Sequence, residues 1–266
     1  MRKILIVLIL GCLISAGAQA GLIAHWAMDE AAGASEAVDS VGNANAAPSS
    51  ASNGTDPASG AQGRFGKAWE FDGSNDNHLN VAPPDQAVFT TLGFTGFSYS
   101  GWVKVSDGMS DTIFSISDAA AGSEEAALRV VSGNLNFLGR HNSNDNVDIS
   151  GGASLMDDEW HHVAVSSSGQ TGTLLYLDGS EVASSSFGVD IDTFTTNDGN
   201  VAVNFGANND NGSGLQWEYG GLIDEFRVYD HALSETEVEN LAVPEPATIS
   251  LLAAGLGFFA GRNKQK

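Results

Sequence analysis

Asp72-Gly73-Ser74-Asn75-Asp76-Asn77 is a tight turn dense in oxygen ligands. Hard cations take carboxylate and carbonyl oxygens, so calcium is the ion this composition suits. The spacing is not that of an EF-hand, which puts acidic or amide residues at loop positions 1, 3 and 5 and glycine at 6. Asn208-Asn209-Asp210-Asn211 is a second run of similar composition, for which a solvated turn is the favoured reading over a cation site. Trp217 and Tyr219 follow it closely. An aromatic platform with amide and carboxylate partners, here Asn208 and Asp210, is the composition of a sugar site. The same two aromatics would serve equally well as a plug at the end of a β-sandwich. Asp224 sits in an alternating stretch, where strict period-two geometry gives it the face of Phe226 and Val228. A carboxylate among apolar neighbours is costly to bury unpaired, so it requires a cation, Arg227 or backbone donors.

Catalytic signatures are absent from the sequence. There is no Gly-x-Ser-x-Gly elbow, no His-Glu-x-x-His and no phosphate-binding loop. Asp157-Asp158-Glu159 reads as a charged turn. His161 and His162 are adjacent on one strand and project to opposite faces, so they do not readily chelate one metal. The expectation is a protein that binds rather than catalyses.

The elements that would carry these residues are short. Runs rich in β-branched and aromatic residues, bounded by Gly, Ser, Asn and Asp, recur along the chain. They fall at 22–28, 69–71, 78–81, 97–105, 112–117, 127–131, 135–140, 147–149, 161–166, 173–177, 182–187, 201–206 and 222–229. Many short strands at this spacing predict a sandwich or jelly roll. Asp178-Gly179 and Ser132-Gly133-Asn134 are the clearest tight turns between them. One helix is expected, from a Ser234 cap with Glu237 three residues on and a Leu233/Val238 staple, running to about Leu241. Residues 31–63, mostly Ala, Gly, Ser and Asn, read as a long surface loop.

The two ends are not part of this body. Arg2 and Lys3, an apolar core from Ile4 to Ile14, and Ala18-Gln19-Ala20 form a secretory signal, with cleavage expected after Ala20. Its apolar run is shorter than the roughly 20 residues a spanning helix needs. The only cysteine, Cys12, leaves with it, so the mature chain is expected to have neither disulfide nor cysteine-ligated metal. At the other end Pro244-Glu245-Pro246 precedes 14 apolar residues, Ala247 to Ala260, and a tail holding Arg262, Lys264 and Lys266. A greasy segment with basic residues behind it can lodge in a membrane with the charges on the cytoplasmic side. The domain plan is therefore 1–20 signal, 21–242 body and 243–266 sorting or anchor segment.

Five of the 11 basic residues and one of the 33 acidic ones lie in those end segments. The body is left with 6 and 32, a net charge of −26. Such a field repels phosphate backbones and anionic membranes, which argues against nucleic acid as a partner.

Several stretches carry a family resemblance. Residues 22–30, Leu-Ile-Ala-His-Trp-Ala-Met-Asp-Glu, are similar to the opening strand of laminin-G-like (concanavalin A-like) jelly rolls. Residues 159–165, Glu-Trp-His-His-Val-Ala-Val, with Leu175-Tyr176-Leu177-Asp178-Gly179, resemble their central hairpin. Residues 221–229, Gly-Leu-Ile-Asp-Glu-Phe-Arg-Val-Tyr, with Ala232-Leu233-Ser234, resemble the closing strand and helix. The tail resembles a PEP-CTERM sorting signal.

The resemblance implies an all-β, two-sheet antiparallel jelly-roll sandwich with one short C-terminal helix. It implies a structural calcium held by Asp72, Asp76 and Asp224. It also implies processing by an exosortase-type enzyme and a place in the envelope or extracellular matrix of a Gram-negative bacterium. Many sandwich glycosidases carry a Glu-x-Asp-x-x-Glu strand, and this chain has none. The function expected is a non-catalytic carbohydrate-binding or adhesion module for an extracellular polysaccharide or surface glycan. Ligand contacts would fall to Trp217, Tyr219, Asn208 and Asp210. The alternatives are a polysaccharide hydrolase on the same fold and a passive matrix protein.

Overall fold

A computed structural model describes residues 21–49, 55–74, 77–83, 85–89, 96–107, 110–118, 125–141, 145–189, 201–208 and 215–243. The signal segment, the sorting tail, Asp76 and Asp210 lie outside the described residues.

The described chain forms two antiparallel sheets and one α-helix. In chain order the strands are β1 Leu22–Trp26, β2 Ala46–Pro48, β3 Ala58–Gln62, β4 Lys67–Asp72 and β5 Leu79–Val81. They continue with β6 Gly96–Asp107, β7 Ser110–Asp118, β8 Glu125–Val131, β9 Asn134–His141 and β10 Asp145–Gly151. The last five are β11 His161–Ser168, β12 Gly172–Leu177, β13 Ser180–Ser185, β14 Val201–Phe205 and β15 Gly220–Tyr229, followed by helix α1, Glu235–Ala242. The first sheet has the order β13-β12-β11-β6-β15-β4-β3, with β1 also paired to β15; the second is β10-β9-β8-β7-β14-β5-β2.

Period-two patterning fills the space between the sheets. On β6, Phe97, Tyr99, Val103 and Val105 enter the core, and the intervening even-numbered positions face outward. The centre is aromatic: Phe114 lies 4.7 Å from Phe226, and Trp26 meets Phe205 edge-on at 4.9 Å. Such pairs add about 0.5–1.5 kcal/mol each beyond their area. The turns Asp178-Gly179 and Ser132-Gly133 have positive φ at both residues, the geometry that matches the twist of a two-residue hairpin. Ser234 and Glu237 form the expected capping box on α1. Leu233 and Val238 pack with Ala164, Tyr176 and Tyr229 into a small second core on the outside of the first sheet.

Two readings of the sequence need correction. Residues 31–63 are not simply a surface loop: β2 and β3 lie within them, and Ala37, Ala44 and Ala46 are fully buried. Asp39 organises this region by accepting from the amides of His25, Val41, Gly42 and Ala44. Small side chains pack here without producing a hydrophobic run, so composition concealed the strands. The second correction concerns β15, which does not alternate strictly. Its register against β6 slips between Asp224 and Arg227, and Glu225 has φ +52°. One extra residue is accommodated in a bulge, which re-aims the side chains that follow. Ile223, Phe226 and Val228 all reach the core, while Asp224 leaves the face of Phe226.

Candidate functional site

Cross-strand register puts three rows of side chains on the outer face of the second sheet. One row runs Asn80, Asn204, Ser115, Ala127, Leu138 and Asp148; the next holds Ser117, Glu125 and Arg140; the third holds Thr112, Arg129, Asn136 and Ser150. The inward positions between them, Phe114, Ile116, Leu128, Val130 and Phe137, belong to the core. Alternation therefore supplies this polar layer as a by-product of building the sandwich.

The layer is a connected network. Arg129 donates through Nε to Asn136 Oδ1 at 2.9 Å and lies with Nη2 3.9 Å from Asp148. Asn136 Nδ2 donates to Asp148 at 2.8 Å and to Ser150 at 2.8 Å. Arg140 pairs with Glu125 at 3.0 Å, and Glu125 also accepts from Asn208 Nδ2. Asn80 donates to Asn204 at 2.8 Å. Trp217 completes the group: the Arg129 guanidinium lies 5.3 Å from its ring centroid, and its carbonyl accepts from the amide of Thr112. Burial lowers the Arg129 pKa, and the charges of Glu125 and Asp148 oppose that shift. Glu125, Asn136 and Asn208 form a buried layer beneath Arg140, Asp148, Ser150 and Trp217, which keep partial or full exposure. Buried polar groups fixed in this way hold the exposed ones in one geometry.

The ligand residues expected from the sequence divide. Trp217 and Asn208 join this network, linked through Arg129, Glu125 and their strands. Tyr219 does not. It is fully buried, packs against Phe71 at 6.0 Å, and donates its hydroxyl to the carbonyls of Lys104 and Leu222. The plug role belongs to Tyr219, because its ring fills the interior where a glycan cannot reach. Asp210 lies outside the described residues. The sequence reading missed Glu125, Arg129, Asn136, Arg140 and Asp148. Their signal was a partial one: polar residues alternate with core residues at 125 and 129, at 136 and 140 and at 148 and 150, but Ala127 and Leu138 interrupt the pattern on the same face.

The implied calcium set is not assembled by the described residues. Asp72 stands opposite Gly220 in the β4–β15 ladder, and Asp224 is four positions further along β15. That is roughly 13 Å at the rise of a strand. One calcium binds oxygens at about 2.3–2.6 Å, so the two carboxylates cannot share an ion. Nor does any group of three or more His, Cys, Asp or Glu among the described residues form a metal cluster. Asp72 is occupied locally: Thr55 and Ser74 hydroxyls and the Ser74 amide donate to it. Slight burial would raise its pKa, but these donors hold it below the ordinary carboxylate value. Asp224 is fully buried beneath the turn joining β3 to β4 and accepts from the Phe65 amide at 2.8 Å. Burial, reinforced by the charges of Glu225 and Asp29 and opposed by that amide, pushes its pKa up to about 7. Of the three solutions open to Asp224, backbone donation is the one present.

The outer face of the first sheet carries a cleft of about 490 Å³ lined by Phe65, Trp102, His25, Glu225, Arg227 and the end of α1. Its polar groups are already matched to one another. Glu225 accepts from His25 at 2.9 Å and from Arg227. Burial would raise the Glu225 pKa, but these two partners hold it low. Deeper on this face, His162 lies 2.9 Å from Ser100 Oγ. Both are buried, and desolvation with the nearby Arg227 charge brings the His162 pKa down to about 3. The neutral imidazole is a packing group beneath Trp102, whose ring centroid is 5.5 Å away. The adjacent His161 instead bridges Asp157 and Asp178.

Two antiparallel sheets with a polar outer face define a jelly-roll sandwich of the lectin type. The chain belongs to the concanavalin A-like lectin/glucanases superfamily, whose model matches residues 72–239. A PEP-CTERM protein-sorting motif matches residues 242–265, marking the chain for export and envelope sorting in bacteria and implying exosortase processing. No curated protein matches the chain.

Solved structures with the same fold include domain 4 of AbnA, a GH43 extracellular arabinanase from Geobacillus stearothermophilus, in complex with arabinotriose. It shows 24% identity and a TM-score of 0.62, over 84% of this chain and 98% of that one. The CBM40 of Ruminococcus gnavus IT-sialidase, bound to α2,3-sialyllactose, is 15% identical with a TM-score of 0.55, over 66% and 96% of the two chains. The SAP-like pentraxin of Limulus polyphemus is 22% identical with a TM-score of 0.50, over 65% and 80%. At these identities the likeness is one of fold. Among the described residues no helix is long and apolar enough to cross a membrane. The apolar run 247–260 lies outside them.

Proposed function

We propose that this protein is an exported, non-catalytic carbohydrate-binding module displayed in the bacterial envelope or exopolysaccharide matrix. The observation that carries the reading is the outer face of the second sheet. There Trp217 stands beside a fixed array of guanidinium, amide and carboxylate groups. An aromatic surface for the apolar side of a sugar ring, with donors and acceptors for its hydroxyls, is what saccharide recognition requires. The arabinanase domain and the CBM40, each solved with an oligosaccharide, support the same use of this fold.

The test is retention on a polysaccharide panel by affinity electrophoresis or pull-down. Trp217→Ala is expected to weaken binding at least about tenfold, equivalent to about 1.4 kcal/mol. Its melting temperature should change little, because Trp217 is only partly buried. Release of reducing ends from any retained polysaccharide would make the protein a hydrolase instead.

Calcium enters this reading only through the Asp72 turn, whose donor set is local to residues 72–77. An ion there would hold that turn, and its removal by a chelator is expected to lower the melting midpoint. An unchanged midpoint, with no calcium found by elemental analysis, would remove the metal from the account.

A further inference from the structure

We infer that the ligand of the second-sheet face is a neutral polysaccharide and that anionic chains are rejected. This rests on the binding role proposed for that face and adds its selectivity. The key is how the face is charged. Its two guanidiniums are both compensated: Arg140 lies 3.0 Å from Glu125, and Arg129 is 3.9 Å from Asp148 while donating to Asn136. Among the described residues of the face, two positive charges meet two negative ones. A uronate or sulfate would have to displace a carboxylate already in place to reach either arginine. It would also have to pass Asp148, whose side chain is 62% exposed and stands at the surface of the network.

The rest of the molecule reinforces this. A body carrying −26 raises a negative potential around its clefts and slows the approach of polyanions. Sugar hydroxyls suffer neither penalty. Each hydroxyl both donates and accepts, so it can bridge a carboxylate and a neighbouring amide or guanidinium without disturbing their pairing. The exposed members of the network present such groups: Asp148 and Ser150, both held by Asn136 beneath them, and the Arg140 guanidinium, paired with buried Glu125. Trp217 supplies a face for the C–H side of the ring, and that contact does not depend on ligand charge.

The experiment uses the full-length protein and two sets of polysaccharides: neutral (arabinan, galactan, dextran) and anionic (polygalacturonate, alginate). Affinity is measured from about 20 mM to about 500 mM salt, a range that spans weak to near-complete screening of long-range charge. Binding is expected to at least one neutral chain, with affinity changing less than about twofold across the range. Anionic chains should bind at least about tenfold more weakly at low salt. Asp148→Asn, which removes one of the two carboxylate charges acting on Arg129 and leaves the face with a net positive charge, should shift the neutral-to-anionic affinity ratio at least about threefold towards the anionic chains. Preferential retention of an anionic chain, lost with salt and with Trp217→Ala, would overturn the selectivity and leave the binding role intact. An unchanged ratio in Asp148→Asn would also overturn it. Retention of no polysaccharide from either set would remove the binding role, and the selectivity with it.

Discussion

Asp224 shows how one buried atom group can be read and tested. An aspartate in an unfolded chain titrates near 4, and this one titrates at about 7. Between those values the folded protein holds a proton that the unfolded chain has released. Stability therefore falls as pH rises from about 4 to about 7, then levels off, with a total span of at most about 4 kcal/mol. Asp224→Asn keeps an acceptor for the Phe65 amide and removes the charge. Its melting temperature is expected to decline less than that of the parent between pH of about 4.5 and about 7.5. Two parallel curves in scanning calorimetry would mean that the carboxyl is not buried as described. Trp217 is the complementary case at the same scale. Its backbone has φ +57°, an uncommon conformation for a bulky residue, yet it sets the indole beside Arg129.

At the scale of elements, β15 and β6 decide the geometry. The bulge at Glu225 lets Phe226 reach the core and brings Glu225 against His25 and Arg227 on the outside. Space for the Phe226 ring comes from β6: a Cβ on Gly101 would lie 2.5 Å from its Cδ2. The obstacle is a ring embedded in the aromatic core, which cannot swing aside. Gly101→Ala is expected to destabilise by about 1–3 kcal/mol, as overpacked cores do. Chemical denaturation measures it, and a change below about 0.5 kcal/mol would contradict the packing described. The helix is more modest. Its capping box and its Leu233/Val238 contact lock it onto Ala164, Tyr176 and Tyr229, closing the body at Ala242.

The whole molecule sets a direction of display. The sorting motif begins at residue 242, where α1 ends on the outside of the first sheet. The candidate glycan face is the outside of the second sheet, across the core. A chain held by its C-terminal end therefore carries the two functions on opposite faces. Every described strand and α1 end before residue 244, so the protein truncated after Val243 is expected to be exported, fold and bind as before. What it should lose is retention in the envelope, with most of the protein moving to the medium, as fractionation and immunoblotting would show. Truncated protein that remains in the envelope fraction would mean that attachment does not depend on the tail.

Much of this was legible in the sequence because it depends on local rules. Alternation of apolar residues marked most strands, Asp178-Gly179 and Ser132-Gly133 marked hairpins, and Ser234 with Glu237 marked the helix start. The sorting motif was written in one contiguous segment that needs no fold to be read. What the sequence could not show depends on partners distant along the chain. Strands β2 and β3 are built of small residues whose burial exists only once the sheets close. The bulge at Glu225 is visible only against β6, and it separated Asp224 from the face that strict alternation assigned to it. Trp217 and Tyr219, two positions apart, went to opposite fates, one to the polar face and one to the core. Local chemistry determined which elements form and where the chain is sent. Tertiary packing alone decided which of their side chains meet, because burial and charge compensation are properties of neighbours brought together by the fold.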